Sequence, residues 1–223
     1  MEMIAQRESH PVNLLTARWR ALIDQQHRYP TGLVGRWIGE KMVRQHAPET
    51  AWTVEQLQLQ PQERVLEIGF GAGRGLAVAA QQTTRGTVTG IDLSAIMVRV
   101  TQRRNQTAIR AGQMNLLRGD AAALPFTTAH FDKIFTIHTC YFWPHPLQIF
   151  ADLLRILKPD GRLMVTLSSG RTLPTGERIY TPLHQELIER IVPALQRLDI
   201  RRVEFQIGPD SRQYNNVAVL IEK

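Results

Sequence analysis

The chain has 223 residues, 43% of them hydrophobic and 21% charged, which suits one domain with an extension and a sizeable buried core. A single cysteine excludes an intrachain disulfide and a thiolate zinc cluster and fits a reducing, cytoplasmic compartment. The net charge of +7 is spread along the sequence, with short clusters only at Arg103-Arg104 and Arg201-Arg202 and no aromatics interleaved in a basic strand, so it reads as a solvated surface and argues against a nucleic acid partner.

Residues 1–52 read as an N-terminal helical extension with Trp19, Tyr29 and Trp37 interspersed and a break at Pro30-Thr31-Gly32. Residues 53–223 form the main unit. Thr53-Val54-Glu55-Gln56 fits a capping box that opens the helix ahead of the first strand. No secretory signal and no bilayer-length apolar run is visible. From Pro61 onward strand and helix alternate, which predicts a mostly parallel sheet covered on both faces.

The first strand, Val65-Leu66-Glu67-Ile68, runs directly into Gly69-Phe70-Gly71-Ala72-Gly73-Arg74-Gly75. Such glycines let the backbone turn sharply and approach a ligand, next to the unpaired N–H groups of a helix start. The G-x-G-x-x-G register of a dinucleotide site fails, because its third place falls on Arg74 or Leu76. A carboxylate at Glu67 would repel a pyrophosphate and suits a ligand carrying an ammonium or sulfonium.

A second strand, Thr87 to Ile91, delivers Asp92, Leu93 and Ser94. Asp92 can accept from both hydroxyls of a ribose, or serve only as a helix cap or turn former. A third strand, Met114 to Arg118, leads to Gly119-Asp120-Ala121, where Asp120 can likewise be an Asx turn. The run Phe131 to His138 is a fourth strand. Phe150, Leu153, Leu154 and Leu157 then stand at i, i+3, i+4 and i+7, marking a helix with one buried face before Pro159. Leu183, Leu187, Ile188, Ile191 and Leu195 mark another, which Pro193 bends or shortens. The tail holds two apolar runs, Arg202 to Ile207 and Asn216 to Ile221, joined by Gly208-Pro209-Asp210-Ser211 as a hairpin.

In this order, E-x-G-x-G-x-G, G-D-A, L-P-F, F-D and L-K-P-x-G resemble the class I S-adenosylmethionine-dependent methyltransferases, in particular the quinone-biosynthesis C-methyltransferases and other small-molecule enzymes. The likeness is good over residues 64–166 and weak over the N-terminal extension and residues 171–180. It implies a three-layer, Rossmann-like α/β sandwich: a mostly parallel seven-stranded sheet with an antiparallel C-terminal strand, plus an N-terminal helical cap. It also implies S-adenosylmethionine as cofactor. Carried over onto this chain, the cofactor set is Glu67, Gly69, Phe70, Gly71 and Gly73 from the first strand and turn, Asp92 and Leu93 at the ribose, Asp120 and Ala121 at the adenine, and Thr136 and Ile137 beside the methionine part.

Methyl transfer from a sulfonium needs mainly an in-line, water-poor approach, and a base only where the acceptor must lose a proton. The segment His138 to His145 offers candidates: His138 or His145 as base, Tyr141 to orient an acceptor, and Phe142 with Trp143 to wall the pocket. The same side chains can also pack simply as an aromatic cluster. His138 and Tyr141 are the catalytic candidates, and Tyr29, Trp37, Met42, Trp143 and His145 the substrate candidates, with residues 29–42 as a roof. No metal is expected, since His138 and His145 show no ligand spacing and no carboxylate lies between them. The segment lacks the signatures of nucleic-acid amino methylation, cytosine C5 methylation and protein arginine methylation, which leaves a small-molecule acceptor. A cofactor-binding module without catalysis is the second reading, and an RNA methyltransferase the third.

Overall fold

Strand β1 (Arg64–Ile68) lies at the centre of the sheet, and its last four residues are all buried, as a strand covered on both faces requires. It belongs to a computed structural model that describes residues 45–198, 200–211 and 215–223. Tyr29, Trp37, Met42 and most of the expected N-terminal cap lie outside the described residues. The elements following β1 are helix α2 (Arg74–Gln82), β2 (Thr87–Asp92), α3 (Ala95–Arg104), α4 (Gln106–Arg110), β3 (Met114–Arg118), β4 (Phe131–Ile137), α5 (Pro146–Ile156) and β5 (Leu157–Thr172). Helix α1 (Ala47–Gln56) precedes β1.

The main path of the sheet is β3-β2-β1-β4-β5-β8-β7, in which β8 (Asn215–Glu222) alone is reversed, pairing antiparallel with both β5 and β7 (Arg202–Ile207), while the other pairs are parallel. This is the seven-stranded arrangement the sequence implies, with its terminal hairpin. An eighth short strand, β6 (Arg178–Tyr180), pairs antiparallel with β5 off that path, from the segment where the resemblance is weak. The chain reverses its direction of winding between β1 and β4, and the carboxyl ends of β1 to β4 therefore meet at one edge, the place where open α/β sheets bind ligands.

Side-chain alternation in β1 feeds two cores. Leu66 and Ile68 pack with Ile149, Phe150 and Leu153 of α5 on one face, while Val65 packs with Val54, Leu57 and Leu76 on the other. Among the described residues no helix is long and apolar enough to cross a membrane.

One local expectation is corrected and one is met. Helix α1 starts at Ala47 rather than at Thr53, with Pro48 in its first turn, where a missing N–H costs nothing. Thr53 is therefore mid-helix and buried; its Oγ1 donates to Glu49 O at 2.7 Å and shares a 2.7 Å hydrogen bond with Thr166 Oγ1 of β5. The helix thus runs across the boundary expected at residues 52 and 53. The later helix is broken into α6 (Pro182–Glu186), a π turn over Leu187–Ile191, and α7 (Val192–Leu195). The widened turn sits just ahead of Pro193, whose ring cannot continue the regular ladder.

Phe135 is fully buried at the sheet centre. Truncating it in Phe135→Ala is expected to lower stability by about 3–5 kcal/mol. Ile207→Ala, at a position 74% exposed, is expected to change it by less than about 0.5 kcal/mol. Urea denaturation of both variants checks the contrast.

Candidate active site

The turn after β1 is built from left-handed glycines and held by α3. Gly73 has φ +77°, and a Cβ there would sit 2.3 Å from Thr101 Cγ2. Thr101 Oγ1 donates to Gly71 O at 2.9 Å, Arg104 Nη1 to Ala72 O at 2.7 Å, and Asn105 Nδ2 to Gly73 O at 3.3 Å. Gly69, at φ +69°, fits under Thr139, whose Cγ2 would lie 2.1 Å from an added Cβ. Only glycine meets both demands, a positive φ and a close neighbour.

Three acids stand at the adjoining strand ends. Glu67 is buried, and a Cβ on Gly75 would come within 2.4 Å of its Oε1, so Gly75 gives the carboxyl its room. Burial holds this carboxyl well above the usual carboxylate range, and Oε2 has no hydrogen-bond partner among the described residues. Asp92 accepts from Gly71 N through Oδ2 and from Ser94 N through Oδ1, both at 2.8 Å. Burial pushes Asp92 up to about 6, against the pull of those two N–H groups. Ser94, not Asp92, caps α3, through Oγ to Met97 N at 3.4 Å. Asp120 is exposed, and its Oδ1 accepts from Ala122 N at 2.9 Å, so it does form the Asx turn.

These groups share the wall of one cavity of about 490 Å³. Glu67, Gly69, Phe70 and Gly71 line it from the first strand and turn, and Asp92, Leu93, Asp120 and Ala121 from the next two strand ends. Ile137, His138, Tyr141 and Trp143 line it from the end of β4 and the segment beyond. Three expected residues are elsewhere. Gly73 faces α3 instead. Thr136 is fully buried behind the turn, with Oγ1 donating to Ile68 O at 2.9 Å and in contact with Thr139 Oγ1. His145 is exposed at the start of α5. Trp143 packs edge-on against Phe150 with ring centres 5.6 Å apart, so it serves the core as well as the wall.

His138 has φ +57° and is fastened on both sides of its ring. Its Nδ1 lies 3.2 Å from Tyr141 Oη, which also accepts from Ser168 N, and its Nε2 lies 3.1 Å from Glu49 Oε1. The same oxygen is met by His46 Nδ1 at 2.6 Å and by Ser211 Oγ at 3.2 Å. Burial opposes ionisation of Glu49, but the hydrogen bonds from His138 and His46 prevail and hold its carboxyl down at about 2. Burial keeps the His138 imidazole below its ordinary range. Sequence reasoning missed His46 and Glu49, because Glu49 stands 89 residues from His138 and only the fold joins them. It also missed Gly75, whose signal, a glycine one turn after a strand-borne acid, was legible.

Residues 66–165 match the family described as a methyltransferase domain. The phthiotriol/phenolphthiotriol dimycocerosates methyltransferase 1 of Mycobacterium ulcerans is 31% identical over 104 residues, 47% of this chain and 37% of that protein. The fatty-acid O-methyltransferase of Mycolicibacterium smegmatis is 26% identical over 180 residues, 70% of this chain and 63% of that protein. The chain thus spans between about a third and two thirds of the length of these relatives. The crystal structure of a SAM dependent methyltransferase from Aquifex aeolicus shares the fold with a TM-score of 0.63 at 20% identity, over 82% of this chain and 96% of that one. Residues 66–165 thus match a methyltransferase domain, within a chain whose fold is that of the solved SAM dependent methyltransferase.

Proposed function

We propose that this chain binds S-adenosylmethionine over the carboxyl ends of β1, β2 and β3 and transfers its methyl group to a small-molecule acceptor seated beside His138 and Tyr141, acting in the cytoplasm. The observation that carries the reading is that one cavity, of a size ordinary for small-molecule sites, joins Glu67, Asp92 and Asp120 to the His138–Tyr141–Trp143 cluster. Its residues fit the cofactor. Asp92 has spare lone pairs for ribose hydroxyls beyond the two N–H groups it already accepts, and Asp120 and Ala121, on the same cavity wall, support an adenine beside the third strand end. Glu67 supplies a buried carboxyl whose ionisation, opposed by burial, a cationic ligand would favour.

When bound, the cofactor supplies a methyl group already activated as a sulfonium. The chain's own part is orientation and exclusion of water, for which the aromatic wall of Tyr141, Phe142 and Trp143 is suited. His138 and Tyr141 line the cavity, which supports them as the groups that hold the acceptor or help it lose a proton. That wall, and relatives named for fatty-acid and phthiotriol lipids, support an apolar small molecule as acceptor. The buried, unpaired Cys140 agrees with a reducing compartment.

Calorimetry with S-adenosylmethionine is expected to show one site, weakened roughly 10–100-fold in Asp92→Ala, since a charge-assisted hydrogen bond is lost. Absence of binding by the unmutated chain would overturn the reading. Transfer of labelled methyl to a lipid extract by this chain alone separates an enzyme from a binding module.

Because Asp92 is pushed up to about 6 in the folded protein, its contribution to stability is complete below its unfolded value and is lost as pH rises through about 6. The unliganded protein is therefore expected to lose on the order of 3 kcal/mol from this group between about pH 4 and pH 8. Asp92→Asn should remove that slope from thermal unfolding curves. Donor affinity should move in the opposite sense and fall below about pH 6, as the carboxylate that accepts the ribose is protonated.

A further inference from the structure

We propose that His46, Glu49 and His138 form a site for a divalent transition metal, zinc(II) by ligand type, on the acceptor side of the cavity. Two imidazoles and one carboxylate are a donor set of catalytic zinc, which takes three protein ligands and keeps a fourth position open. The ligand atoms of all three residues lie within 4.8 Å of one another, with His46 Nδ1 at 2.6 Å and His138 Nε2 at 3.1 Å from Glu49 Oε1. Tetrahedral bonds of about 2.0–2.1 Å set donor atoms roughly 3.3 Å apart, so small side-chain rotations suffice.

Glu49 itself points to a missing cation. It is fully buried, three groups crowd onto Oε1, and Oε2 has no hydrogen-bond partner among the described residues. A buried carboxylate oxygen without a donor is unfavourable, and a metal ion bound to the carboxylate relieves it. The tautomer of His138 is also prepared. Without a metal Nε2 donates to Glu49, and on metal binding Tyr141 Oη, 3.2 Å from Nδ1, can accept the Nδ1 proton and free the Nε2 lone pair, the outer-sphere support that metal-bound histidines usually have.

His46 and His138 line the cavity wall whereas Glu49 stands behind them, so the open coordination position faces the cavity. An oxygen of the acceptor is the ligand such a position would take, and its hydroxyl would become more acidic there. That role rests on the function proposed above; the metal site itself does not. The expectation of no metal came from the spacing of His138 and His145, whereas the partners of His138 come from α1 and from the residue preceding it.

The test uses the full chain, stripped with a chelator and titrated with zinc(II) alone against a chromophoric competitor. One equivalent bound with submicromolar affinity is expected, and cobalt(II) in its place should give the intense visible absorption of a four-coordinate site. Glu49→Gln and His46→Ala should each weaken binding at least a hundredfold while circular dichroism stays unchanged. His130→Ala should retain it, since His130 packs on Phe126 and Phe131 off the cavity wall. Stoichiometry well below one, or binding that His46→Ala and Glu49→Gln leave intact, would overturn the proposal. Calorimetry with S-adenosylmethionine on the same samples tells the two readings apart: zinc without donor binding refutes the function alone, and donor without zinc binding refutes the metal site alone.

Discussion

The hydrogen bond from Gly71 N to Asp92 Oδ2 is the joint on which the site depends, because it fixes the tip of β1's turn to the tip of β2. Backbone sterics alone would let the run Gly69 to Gly75 take many shapes, since glycine has few forbidden conformations. Asp92 grips one side of it, and Thr101, Arg104 and Asn105 occupy carbonyls on the other. With the turn held so, a ligand reaches strand ends and backbone N–H groups in fixed positions, and little ordering is left to be done on binding.

Much of this was legible in sequence because the relevant signals are local. A strand that ends in an acid and glycines, and another that ends in Asp92 before a serine cap, can each be read from a handful of neighbouring residues. The parallel sheet followed from strand and helix alternation, and the terminal hairpin from two apolar runs around Gly208-Pro209. Thr136 and Gly73 do not line the cavity for a physical reason: a residue at that point of a motif can brace the glycine turn from behind. Asp120 forms its Asx turn and still lines the cavity wall, so the plain reading of that residue does not displace the other.

What sequence could not reach is the acceptor side, which is assembled across long separations. Glu49 looks like an unremarkable acid in the first turn of α1, and nothing nearby says that it will be fully buried. Only when α1 packs on β5, through Thr53 and Thr166, does Glu49 come to His138. The left-handed backbone of His138 is likewise a tertiary property, imposed where β4 ends and held by His138 N donating to Thr166 O at 2.9 Å. Thr166 therefore positions both halves of the cluster, one through its side chain and one through its carbonyl.

The burial of Glu67 against Gly75 carries a thermodynamic consequence. A carboxyl held in an apolar niche, with one oxygen unpartnered among the described residues, makes the unliganded protein less stable than its hydrophobic core would allow. Any cation that settles beside it returns that deficit as binding free energy, so folding and ligand capture become one linked equilibrium. Heat resistance of such a chain rises with the ambient supply of its ligand, and the amount of intact protein becomes a readout of that supply.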